Sequence, residues 1–200
     1  MNLKTQASEE TKQNIIQTAI SILGTEGYPA LTVGKLSKQA GVSKGALYHH
    51  FDSLEAVRLS ALEALIDRLV TIKDPGQFGT LSDYLADLGE DFFDDLKHEA
   101  TLAKALFAFL AQGMFDEQAA LQLHHMMASS MEQCSTAFKH FIPDLPEDKQ
   151  GALPMILDSY FIGVFSKWFL DFDRAQCCPN WEVLSEMILL YVDTQKEAGQ

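Results

Sequence analysis

The sequence predicts an all-α protein, with a three-helix N-terminal head followed by a helical body, about nine helices in all. Three observations predict it. Apolar residues recur at helical spacing along the whole chain, with no strand-like alternation and no internal repeat. Glycine and proline clusters at Gly24–Pro29, Asp74–Gly76 and Pro143–Pro146 punctuate the apolar runs. Residues 32–51, TVGKLSKQAGVSKGALYHHF, read as two short helices joined by a glycine turn.

The first helix is carried by Ile15, Ile16, Ala19, Ile20 and Leu23, and stops at the Gly24–Gly27 stretch. Val33, Leu36 and Ala40 then form one apolar stripe on a short second helix that Thr32 caps. Gly41 stands where a helix ends with positive φ, and Val42 plugs the corner. Ser43 is an N-cap residue for a third helix, Lys44 to His50, whose Leu47 and Phe51 point back into the bundle. A long fourth helix from about Ser53 carries Leu54, Val57, Ala61, Leu62, Leu65 and Leu69. Leu81, Tyr84, Leu85, Leu88 and Phe92 define a fifth. Further helices are expected near 100–112, 117–141, 148–172 and 180–196.

Helix-turn-helix geometry explains the chemistry of the third helix. Such a helix enters the major groove of DNA with its N-terminal residues towards the base edges. Gly45 and Ala46 let the backbone come close, and Lys44 can reach a guanine edge or a phosphate. Tyr48 and His49 carry donors on the flank where phosphate oxygens lie, and Thr32 opens a helix whose free N–H groups attract phosphate. Thr32, Ser43, Lys44, Gly45, Ala46, Tyr48 and His49 are therefore the candidate DNA-binding residues. Adjacent His49 and His50 diverge by about 100° around a helix and do not suit one metal ion.

The run Gly27, Thr32-Val33, Ala40-Gly41-Val42-Ser43, Gly45, Leu47, Tyr48 and Phe51 resembles the DNA-binding domain of the TetR family of bacterial transcriptional regulators. The resemblance covers residues 9–69, with the helix-turn-helix at 32–51, and leaves 75–200 as an effector-binding and dimerisation domain. It departs from the family at Leu54, where a lysine usually stands, and Lys12 replaces an arginine usual near the first helix. What the resemblance implies is a homodimer on a palindromic double-stranded operator, with a small molecule controlling release. In the family the last two long helices of each subunit form the dimer interface, and Lys167-Trp168-Phe169-Leu170-Asp171 resembles that region.

Charge separates the two parts. Residues 1–52 hold five lysines against four carboxylates, a balance of +1, while the remainder holds ten basic and twenty-four acidic residues, a balance of −14. An acidic body repels DNA, whereas a near-neutral head with aimed helix dipoles can dock. No apolar run reaches the ~18 residues of a membrane span, and the N-terminus lacks an apolar signal stretch, so a cytoplasmic protein without membrane association is expected. Cys134, Cys177 and Cys178 do not have a zinc spacing and read as reduced thiols. No Gly-rich phosphate loop, G-x-S-x-G or paired-His motif is present, so neither an enzyme nor a cofactor is expected. His124, His125 and Cys134 are not spaced to hold a metal together.

The body carries two further clues. Between Leu153 and Leu170 apolar residues occur on all sides, so the helix must be covered all round, partly by a second copy of the chain. Phe161, Phe165, Trp168, Leu184 and Ile188 are the candidate interface residues. The region from Phe92 to Phe138 is rich in Phe and Met, which suits either an ordinary core or an adaptable apolar pocket. Phe92, Phe107, Met114, Met127, Met131 and Tyr160 are the candidate ligand-binding residues, with Gln112, His125, Ser130 and Asp158 as orienting polar groups. The acidic surroundings favour a small apolar or cationic effector. The sequence predicts a ligand-responsive transcriptional repressor; the alternative is a helical protein-interaction module with weak DNA binding, which Leu54 and the sparse charge of the head would suit.

Overall fold

The computed structural model describes residues 3–69, 72–143, 146, 149, 151–170 and 174–198. Among these are nine α-helices: α1 (Leu3–Glu26), α2 (Val33–Ala40), α3 (Lys44–His50), α4 (Leu54–Leu69), α5 (Leu81–His98), α6 (Ala100–Gly113), α7 (Glu117–Phe141), α8 (Ala152–Phe169) and α9 (Arg174–Ala198). Short 3-10 turns lie at Tyr28–Ala30 and Pro75–Gln77. The chain divides into two compact units, one of residues 1–70 and 99–126 and the other of 71–98 and 127–200.

In the first unit α1 is the central element. Ile15, Ile16, Ala19, Ile20, Ile22 and Leu23 are all buried on it, and each large aliphatic contributes about 1.5–3 kcal/mol of burial. The helix begins a full three turns before this apolar stripe. Its polar start carries i,i+4 side-chain bonds, Gln6 to Glu10 at 3.3 Å and Gln13 to Glu9 at 3.0 Å, and faces solvent, so no apolar period announces it. Near its other end α1 meets α6 closely. A Cβ on Gly24 would stand 2.1 Å from the Thr101 carbonyl oxygen, so only glycine admits this approach. Residues 99–126, read from the sequence as part of the body, thus pack with the N-terminal helices.

In the second unit α5 turns Leu81, Tyr84, Leu85, Phe93 and Leu96 inward. Gly89 on that face allows the Trp181 indole of α9 against the helix, since a Cβ would lie 2.0 Å from its Nε1. Ala137, Phe138, Leu153, Leu157, Val164, Ile188 and Val192 complete this core. α9 begins earlier than expected and contains Pro179, which removes one N–H from its second turn. Tyr160 of α8 donates its hydroxyl to the Cys177 carbonyl at 2.8 Å and ties down that irregular start. The expected reach of α8 to 148 and to 171–172 lies outside the described residues.

Candidate functional site

The head residues are positioned by three capping interactions. Thr32 Oγ1 accepts the Lys35 N–H at 3.3 Å and Ser43 Oγ accepts the Ala46 N–H at 3.0 Å, which fixes where α2 and α3 begin. Between them Gly41 adopts φ +68°, and the Val42 N–H donates to the Ser37 carbonyl at 3.0 Å, closing α2. Asn14 of α1 donates to the Ala40 carbonyl at 2.8 Å and supplies a further cap. That role was not legible in the sequence, because it depends on a residue 26 positions away.

Leu47 and Phe51 are buried, so the opposite face of α3 is turned outward. Thr32, Ser43, Lys44, Gly45, Tyr48 and His49 are exposed, Tyr48 by 51%, and Ala46 is half-buried. The glycines here are not demanded by packing. A Cβ on Gly45 would meet nothing nearer than Ser43 Oγ at 3.8 Å, and one on Gly34 would meet nothing at all within 4 Å. Lys35 pairs with Glu26, whereas Lys38 and Lys44 enter no ion pair among the described residues.

Behind this face Arg58 of α4 lies 4.5 Å above the Tyr28 ring and bonds Glu55 at 3.2 Å. Burial raises the Tyr28 hydroxyl pKa, with Arg58 opposing. Asp116 caps α7 through the Gln118 and Ala119 N–H groups at 3.0 and 3.2 Å, and the Ala119 bond leads in holding its carboxyl below the usual range.

Residues 15–61, which contain the capped α2–turn–α3 segment and Arg58, match the family model for bacterial regulatory proteins of the tetR family. The head of the chain is therefore similar to the DNA-binding domain of that family. Among the curated proteins the chain is similar to, the A-factor receptor protein of Streptomyces griseus is 30% identical over 53% of this chain and 37% of its own length. The biofilm operon negative transcriptional regulator IcaR of Staphylococcus epidermidis is 22% identical over 80% of this chain and 76% of its own. The matched stretches span only 20% to 37% of the first four curated relatives. A crystal structure of FadR from Bacillus subtilis in complex with stearoyl-CoA has a TM-score of 0.72 at 17% identity, covering 88% of this chain and 96% of that one, a likeness of fold.

The body residues are distributed less simply than their sequence suggests. Phe107 and Met114 belong to the first unit, and Phe92, Met127, Met131 and Tyr160 to the second. Phe92, Phe107, Met127, Met131 and Tyr160 are half-buried, but Met114 is 72% exposed because it follows the last residue of α6 and points outward. Met114 is thus corrected from a pocket position to a surface one. The Tyr160 hydroxyl is already engaged with Cys177.

Ile188 requires a similar correction. At 3% exposure it is buried within its own unit and has no free surface to offer a partner. Phe161 lies 4.2 Å from Phe92 and stacks on Trp181 at 5.3 Å, and Phe165 lies 5.8 Å from Phe92. Trp168 lies 6.2 Å from Phe93, and Leu184 is half-buried. The exposed apolar positions on these helices are others: Met155, Ile156 and Ile162 on α8, Leu170 just past its end, and Val183, Met187 and Leu190 on α9. Both sets recur at helical spacing, and a helix apolar all round conceals from the sequence which side its own chain covers. Among the described residues no group of three His, Cys, Asp or Glu side chains could hold a metal, and no helix is long and apolar enough to cross a membrane.

Proposed function

We propose that this protein is a ligand-responsive, sequence-specific DNA-binding transcriptional regulator, a repressor released from a palindromic operator by a small molecule. One observation carries the DNA part. The capped α2–turn–α3 geometry buries Leu47 and Phe51 and leaves Lys44, Gly45, Tyr48 and His49 exposed on a surface flattened by glycine. In this reading Lys44, Gly45 and Ala46 face the bases. Thr32, Tyr48 and His49, with the Val33 and Gly34 N–H groups, face phosphates. Residues 9–69 form the DNA-binding domain and residues 75–200 serve effector binding and dimerisation, in a cytoplasmic protein.

Two copies of the chain pair through the exposed stripes of α8 and α9. Ser159 and Gly163 keep the α8 stripe low, and a Cβ on Gly163 would meet nothing within 4 Å, so a partner helix can approach. The operator then has half-sites one helical turn, about 34 Å, or a multiple apart. Support for ligand control comes from the relatives: one is named a receptor, another a negative regulator, and FadR was solved with stearoyl-CoA. A small apolar or cationic effector must bind the DNA-free form more tightly than the DNA-bound form. A coupling of about 1–3 kcal/mol weakens operator binding about 5- to 150-fold.

The test is fluorescence anisotropy with DNA flanking the gene. Lys44→Ala is expected to lower the salt slope by about one if it meets a phosphate, or to relax one base position if it meets guanine. Unchanged affinity in the double variant Lys44→Ala, Tyr48→Ala overturns the assignment.

A further inference from the structure

The outward end of α3, at Lys44 and Gly45, has little core beneath it. Leu47 and Phe51, the buried residues of this segment, lie in the second half of the helix and just past its end. Lys44 and Gly45 are exposed and Ala46 is half-buried. The start of α3 is therefore placed by the turn that delivers it, Gly41-Val42-Ser43. Gly41 takes φ +68°, the Val42 N–H donates to the Ser37 carbonyl at 3.0 Å, and Ser43 Oγ accepts the Ala46 N–H at 3.0 Å. These bonds tie the turn to α2 and to α3 but not to the rest of the head. Leu36 and Ala40 press α2 against the bundle, yet apolar contact has no direction of its own.

The directional tie comes from α1. Asn14 Nδ2 donates to the Ala40 carbonyl at 2.8 Å, from 26 positions away in the sequence. Ala40 is the last residue of α2, and its carbonyl is one of those a helix end leaves without an N–H partner. The donor stands on a fixed base, since its chain neighbours Ile15 and Ile16 are 0% and 5% exposed in the core. Gly41, Val42 and Ser43 alone separate Ala40 from Lys44. Asn14 itself is exposed, so water can replace its amide at the carbonyl and the fold loses little without it. Water is not anchored to α1, however, and cannot restore the fixed distance from that helix to the end of α2. Such a shift matters unequally on DNA. A hydrogen bond to a base edge weakens steeply outside about 2.7–3.2 Å, whereas attraction to a phosphate changes gradually with distance.

We infer that Asn14 is a positioning residue for base reading: by tying α1 to the Ala40 carbonyl it sets where the turn delivers Lys44, Gly45 and Ala46 in the major groove, without touching DNA itself. This deepens the proposed function and rests on the reading of the head as DNA-binding.

The full chain is compared with Asn14→Ala and Asn14→Leu, neither of which changes its charge. Binding is measured by fluorescence anisotropy on DNA flanking the gene and on a scrambled fragment of the same length. Both variants are expected to lower the preference for the flanking DNA about five- to tenfold, roughly the discrimination given by one base contact. Binding to the scrambled fragment stays within about twofold, and the slope of log affinity against log salt is unchanged, because no phosphate contact is lost. The melting temperature falls by no more than about 2–4 °C, as for one solvent-accessible hydrogen bond. A preference that survives both substitutions, whether or not the melting temperature falls, overturns the positioning role. Equal weakening on both DNAs, or a shallower salt slope, makes Asn14 a phosphate contact and overturns it too. Wild-type protein with no preference for the flanking DNA overturns the regulator reading and the positioning role with it, whereas a wild-type preference left intact by the variants overturns the positioning role alone.

Discussion

Gly24 and Gly89 show how single atoms set the packing of this protein. At each, a methyl group would fall about 2 Å from the atom of another helix, the Thr101 carbonyl oxygen or Trp181 Nε1. Gly24→Ala is expected to cost about 1–3 kcal/mol, read as a lower urea midpoint. Tyr84→Phe is expected to act in the opposite sense. Removing a buried hydroxyl that has no partner raises stability by about 1 kcal/mol, and an unchanged or lower midpoint would show that the hydroxyl is bonded in solution. Asp158 makes stability depend on pH. Burial raises its folded pKa above the unfolded value, so the folded state binds the proton more tightly. The contribution is fully present below the unfolded carboxylate pKa and is lost as pH rises through the folded value. Asp158→Asn should flatten that decline in melting temperature measured from pH 4 upward.

The helix-turn-helix owes its geometry to caps as well as to its core. Ser43→Ala removes the acceptor for the Ala46 N–H and is expected to cost about 1 kcal/mol. Operator affinity should fall with it, since α3 frays at the end that faces the bases; an unaffected affinity would place the contacts elsewhere. Gly41→Ala forces a side chain into φ +68° and is expected to cost about 1–2 kcal/mol. These elements were readable from local signals because a cap and its helix lie within three or four residues. The start of α1 was not readable, since its first three turns face solvent and carry no apolar period. The start of α9 was not readable either, since Pro179 lies inside it and the Tyr160–Cys177 bond comes from another helix.

Assembly gives the sharpest contrast at the scale of the whole molecule. Met187 and Ile188 are neighbours on α9, but Met187 is 61% exposed and Ile188 3%. Met187→Asp places a charge on the proposed dimer stripe, so sedimentation should show a folded chain shifted from twice 22.3 kDa towards 22.3 kDa. Ile188→Asp buries the same charge inside one chain and should lower the melting temperature sharply, since an unpaired buried carboxylate costs several kcal/mol. A dimer untouched by Met187→Asp would move the interface off this stripe.

By itself the sequence determined the helical class, the order of the helices and the helix-turn-helix of the head, because periodicity, caps and the Gly41 turn are encoded within a few residues. Tertiary structure alone decided which side of each apolar helix is left open. It turned Ile188 inward and Met155, Ile162 and Met187 outward. It also decided that residues 99–126 pack with α1 and that the Tyr84 hydroxyl ends in the core without a partner. The physical reason is the same in each case. Hydrophobicity fixes that a side chain seeks cover, but the covering atoms come from distant segments, and their approach is set by close packing that no local pattern records.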